Sequence, residues 1–245
     1  MVNQAPHEFG IGSPWRRLLF CARWPKVGFE NVAAEHPRLG NSLIRMLCWR
    51  TPLALAELVL GWMSFTRLYK SVGDPTSEIW RTIAAQMPPE LSVGEIQDML
   101  RMLPPLPEFS WVLPWLMLLA PIFVLSLWLH DAVWDHGSLW LLRGLKEKKS
   151  FRISMVADAE ALSVGSLGAA LGLLVNLPVL GWLFLLPAMA AGTYFWLLRG
   201  FSLAAFHGCP LWKGVVATLL HLVLMLVFAL LFLALLGALV FLQVG

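Results

Sequence analysis

Apolar positions along this chain gather into long runs, and polar ones collect between them. The pattern predicts helical spans over about 52–69, 111–129, 159–177, 179–198 and 215–244. A span needs roughly 20 apolar residues to cross the hydrocarbon of a bilayer. The first run, Leu53 to Phe65, is short for that, so its helix is expected to start earlier, near Asn41, with Arg45 and Arg50 reaching toward the surface. Pro52 suits a first helical turn. Pro114 and Pro121 fall inside the second span and predict a kink there. Asn176-Leu177-Pro178 reads as a tight turn. At 1.5 Å per residue the last run makes a helix of roughly 45 Å, longer than a bilayer core, so tilt or a break is expected.

Two segments follow a different pattern. Residues 1–50 mix aromatic, aliphatic and basic positions. Within them Trp15, Arg16, Arg17, Arg23 and Trp24 suit a cytoplasmic or interfacial amphipathic region, with rings at headgroup depth and guanidinium groups on lipid phosphates. Residues 70–110 form an extracytoplasmic excursion. There Ser92 and Glu95 make a capping box, and Val93, Ile96, Met99, Leu100 and Leu103 recur at helical spacing. The expected fold is an all-α integral membrane protein, a bundle of about five transmembrane helices with interfacial amphipathic helices at these two places.

Composition agrees with lipid as the solvent. The chain has 245 residues, 58% hydrophobic and 13% charged, where soluble domains run near a quarter charged. From Gly200 to Gly245 the single formal charge is Lys213. A net charge of +3 without a basic block argues against a nucleic-acid partner. Cys21, Cys48 and Cys209 have no paired spacing, so neither a disulfide framework nor a thiolate metal knot is expected.

Lysine and arginine set the orientation. The segments before the first span, between the second and third, and between the fourth and fifth hold seven, five and two basic residues; the alternate segments hold four and none. The bias predicts a cytoplasmic N-terminus and an extracytoplasmic C-terminus.

Candidate chemistry is sparse. His130, Asp131, Asp135 and His136 offer metal-ligand types within seven residues. On one helix they fan over about 240°, and just Asp131 and Asp135 share a face. We therefore read them as a polar end to the second span, salt-bridged to Lys146, Lys148 or Arg152; a metal or proton site is the alternative. Glu57 lies inside the first span, where a lone carboxylate costs about 2.5–3.5 kcal/mol. It should sit on an ion or proton path, or bond to another helix through Asn176 or His221. Asp158 and Glu160 read as acids favoured at a helix N-terminus. Ala161, Gly165, Ala169, Gly168, Gly172, Ala188 and Gly192 predict close packing of the third and fourth spans. No catalytic arrangement, phosphate loop or dinucleotide fingerprint is present, so neither an enzyme nor a cofactor is expected.

The order of elements resembles the Yip family, five-span membrane proteins named for interaction with Rab-type GTPases. Trp24-Pro25 with Phe29, Gly144 through Ser150-Phe151 into Met155-Val156-Ala157, Asn176-Leu177-Pro178 with Gly181-Trp182, and Phe206-His207 with Lys213 carry the resemblance. It implies a five-span domain over 51–245, of the bacterial type because the Asp-Leu-Tyr-Gly-Pro stretch of eukaryotic members is missing. The expected function is a non-enzymatic scaffold that organises a membrane or a membrane complex. Its expected partners are the lipid bilayer and other membrane proteins or further copies of itself. The alternative is a transporter or channel subunit with a proton, ion or lipid path near Glu57.

Overall fold

The computed structural model describes residues 13–73, 82, 85, 105–145, 150–177 and 181–244. All regular structure among them is helical: α1 (Pro14–Arg23), α2 (Pro25–Ala34), α3 (Leu39–Gly73), α4 (Phe109–Leu141), α5 (Phe151–Leu174), α6 (Gly181–His207) and α7 (Leu211–Val244). Most of the predicted 70–110 excursion, with its capping box, lies outside the described residues, as do Lys146, Lys148 and Pro178.

Four helices are long and apolar enough to cross a membrane: α4, α5, α6 and α7 over Leu211–Ala234. The chain is an α-helical integral membrane protein. The predicted first span falls within α3, a 35-residue helix with Pro52 inside it. Helix α4 is continuous through Pro114 and Pro121. Every helix extends past the apolar run that predicted it. Helix α5 starts at Phe151 rather than near Ala159, and α6 ends at His207 rather than Leu198. Glu160 and Arg199, taken as loop markers at these ends, are ion-paired inside the bundle, so the helices continue where hydropathy falls. Helix α6 stops instead at Gly208, whose φ of 63° is left-handed, with the Cys209 amide donating to the Ala204 carbonyl.

The chain divides into two compact units, residues 1–53 with 123–245, and residues 54–122. The smaller unit holds the end of α3 and the start of α4. Along α3, Trp62, Phe65 and Tyr69 stack at helical spacing, with ring centroids 5.9 and 6.1 Å apart.

The larger unit carries the core. Leu18, Cys21, Phe29 and Val32 from α1 and α2 join Leu139, Val156, Leu198, Leu203, Phe206 and Ala217. Helix α1 starts at Pro14, with the Ser13 hydroxyl accepting from the Arg16 amide at 3.3 Å. It crosses α2 where Gly28 meets Cys21; a Cβ on Gly28 would lie 2.8 Å from Cys21 Cα. Burial pushes the Cys21 thiol up to about 12, so it stays protonated. The burial in α6 is confined almost to one end, Leu198 to His207. Beyond it Trp182, Leu183, Leu185, Leu186 and Met189 are exposed, as are Leu222, Val223, Leu226, Phe228, Leu231 and Leu233 of α7, which is the pattern of a lipid-facing surface.

Helices α5 and α6 pack closely, as the small residues predicted, but few of those glycines make the contact. Gly168 meets the Phe195 ring, but Gly165, Gly172 and Gly192 have nothing within 4 Å of a would-be Cβ. A close backbone approach joins α6 and α7, where a Cβ on Gly214 would lie 2.1 Å from the Gly200 carbonyl oxygen. The sequence pattern did not reveal it because the pair spans two helices and a loop. Gly214→Ala should therefore cost about 1–3 kcal/mol through overpacking, and Gly192→Ala should not destabilise. Thermal unfolding of both variants in one detergent checks this; equal midpoints would refute the crossing.

Candidate functional site

Arg199 lies two turns inside the C-terminal end of α6 and is 6% exposed. An arginine there must meet its partners within the protein, since lipid offers none. Helix α4 supplies two carboxylates one turn apart. Arg199 Nη1 is 3.1 Å from Asp131 Oδ2, and Nη2 is 2.7 Å from Asp135 Oδ2. Helix α5 supplies a third, with Asp158 Oδ1 3.8 Å from Nε. Helix α7 supplies His221, whose Nδ1 is 2.7 Å from Asp135 Oδ1 and 3.2 Å from Arg199 Nη2. When Nδ1 carries the proton it donates to Asp135, leaving Nε2 3.0 Å from Met225 Sδ. One guanidinium thus joins four helices.

The charges do not cancel. Three buried carboxylates face one guanidinium, and a protonated His221 would still leave one negative charge over. Asp158 is fully buried and neither of its oxygens has a hydrogen-bond partner. A buried group in that condition calls for a proton or a cation. His130, Asp131 and His221 offer one ligand atom each within 4.8 Å of one another, a spacing that fits a single ion.

His130 is half-exposed, with Nδ1 3.3 Å from Asp131 Oδ1 and its ring 5.5 Å from that of His221. His136 points elsewhere. Its Nδ1 is 2.9 Å from Ser154 Oγ, which lies 2.9 Å from His207 Nε2. Asp131 and Asp135 are therefore buried between helices and pair with Arg199; Arg152 forms no ion pair with them, and Lys146 and Lys148 lie outside the described residues.

A second ionic group ties the N-terminal region to α5. Glu160 accepts from Ser42 Oγ at 2.6 Å, is ion-paired with Arg45, and lies 3.5 Å from Arg17. Arg17 also pairs with Glu35 at 2.5 Å. Arg17 is buried, whereas Trp15, Arg16, Arg23 and Trp24 are exposed; the helix turns this one arginine inward. Asp158 and Glu160 lie beyond the first turn of α5 and serve these networks instead of capping it.

The other predicted positions separate from the cluster. Asn176 is exposed after α5, its amide donating to the Leu173 carbonyl at 3.4 Å. Glu57 is half-buried in α3 and is not isolated. Arg199 and Asp158 were the residues missed. The signal for Arg199 was the lack of a proline between Leu198 and Gly208, which lets the helix continue past it. No family model, curated protein or solved structure matches this chain.

Arg199→Gln should lower stability by about 3–5 kcal/mol, because it strands buried carboxylates. Asp158→Asn has no hydrogen bond to lose and should cost less than about 1 kcal/mol. Denaturant or thermal unfolding in micelles distinguishes the two; equal losses would contradict this account of the network.

Proposed function

We propose that the chain is a non-enzymatic scaffold of the bacterial inner membrane, a five-span bundle that organises a membrane protein complex or its own oligomer. The fifth span is α3, whose segment 52–69 is largely apolar although Glu57 and Arg67 lie within it. The Yip-like order of elements supports the same count. The observation that carries the reading is the use made of the polar side chains: Arg199, Asp131, Asp135 and His221 join four helices, and Glu160, Arg17, Arg45 and Ser42 fasten the N-terminal helices to them. Cavities of about 370 and 390 Å³ are lined by other residues. Polar groups that hold helices together make a rigid platform. The exposed Trp15, Arg16, Arg23 and Trp24 suit the cytoplasmic interface.

Arg199 is now a helix residue and drops out of the loop tally, yet the basic excess of the cytoplasmic segments persists. The loops at Arg143 and Lys213 belong together, since Lys213 Nζ donates to the Arg143 carbonyl at 2.9 Å. In a background lacking Cys48 and Cys209, a cysteine replacing Asn176 should label from outside intact cells, and one replacing Arg143 should not. The opposite pattern would invert the topology.

Mild-detergent purification of the tagged chain should recover a second membrane protein or a second copy at fixed ratio, and Arg199→Gln should lose it. A lone monomer from wild type would count against a scaffold.

The unpartnered Asp158 favours a second reading, a proton- or cation-translocating subunit with its site at Arg199 rather than Glu57. In proteoliposomes this reading expects a wild-type proton or zinc flux that Asp158→Asn abolishes without loss of folded protein. No flux from wild type leaves the scaffold.

A further inference from the structure

We propose that the larger unit carries a binding site for a phosphate-bearing anion, at the cavity between the start of α3 and the start of α5. The cavity holds about 370 Å³ and is lined by His36, Arg38 and Arg152 on its polar side and by Ile153, Val156 and Phe206 on its apolar side. That volume lies within the range of small-ligand sites.

Four features converge on an anion. Arg38 and Arg152 are exposed, and neither forms an ion pair among the described residues, unlike Arg17, Arg45 and Arg199. One carboxylate, Glu35, lines an adjoining cavity that shares His36, Pro37 and Arg38, and it is already paired with Arg17 at 2.5 Å. Two helices start at the site, α3 directly after Arg38 and α5 directly before Arg152, and neither has an acid in its first turn. Their free amides and dipoles favour negative charge there. Two guanidinium groups match phosphate oxygens in the bidentate manner that lysine cannot.

The apolar wall narrows the ligand further. Ile153, Val156 and Phe206 lie beside the arginines and would take up a glycerol or the first carbons of an acyl chain. The shared chemistry is one phosphate group, supplied either by an anionic phospholipid or by a free phosphate compound. The site faces the same side as the Arg143 and Lys213 loop, since Arg152 opens the helix that follows Arg143.

The test uses the full chain in nanodiscs and follows its unfolding temperature. Replacing phosphatidylcholine by phosphatidylglycerol should raise the midpoint, and Arg38→Gln with Arg152→Gln should remove the rise. Both residues are exposed, so the double variant should keep the wild-type midpoint in pure phosphatidylcholine. Lys26→Gln with Arg143→Gln removes the same charge elsewhere on the unit, at exposed residues away from the cavity, and should retain the rise. Titration with glycerol phosphate in phosphatidylcholine discs identifies the source. A midpoint rise there that depends on Arg38 and Arg152 assigns the site to a free phosphate compound; no rise there, with a rise on phosphatidylglycerol, assigns it to lipid. In the arm that binds, the double variant should weaken binding about tenfold or more, the loss expected for charge-assisted bonds. The proposal is overturned if neither ligand shifts wild type, or if the two double variants lose the rise equally.

Discussion

A guanidinium buried among apolar helices must be surrounded by its own partners, and Arg199 sets that requirement for the rest of the larger unit. Asp131 and Asp135 have to stand one turn apart on α4, and Asp158 has to face them from α5. His221 then fixes the rotation of α7, because its Nδ1 must reach Asp135. The apolar contacts among these helices would tolerate several rotations; the ionic ones tolerate few. Gly200, the next residue along α6, lets α7 come close enough for His221 to enter the network.

The membrane class and the approximate course of α4 to α7 could be read from the sequence, since long apolar runs have one physical outcome. Their ends could not. Charges at 130–136, 152–160 and 199 were natural places to break a helix, yet Asp131, Asp135 and Glu160 are paired with arginines of other helices. Pairing across helices leaves no trace in the spacing along one of them. The same limit hid the Gly200–Gly214 approach, while the small residues aligned within α5 turned out to face open space at Gly165 and Gly172. The helical geometry near 130 did separate Asp131 and Asp135 from His136, but it could not name Arg199 as their common partner.

The N-terminal helices show how one segment serves two environments. Helix α1 turns Arg17, Leu18 and Cys21 inward and leaves Trp15, Arg16, Leu19 and Arg23 outward. Composition alone suggested a surface element with all its arginines alike. The inward arginine, paired with Glu35 and Glu160, makes the segment part of the core. Tyr194 extends the attachment by donating to the Ala22 carbonyl at 2.5 Å.

The confinement of burial in α6 to Leu198–His207 has a mechanical consequence. Near that end α6 is clamped by salt bridges, by a backbone crossing and by the packed N-terminal helices. Toward Trp182 its apolar side chains meet little of this unit. Such a helix behaves as a lever with a fixed fulcrum. A thinner or thicker bilayer would change the splay of the distant end while the clamped end kept its distances, so the Arg199 cluster is shielded from the membrane's own deformation.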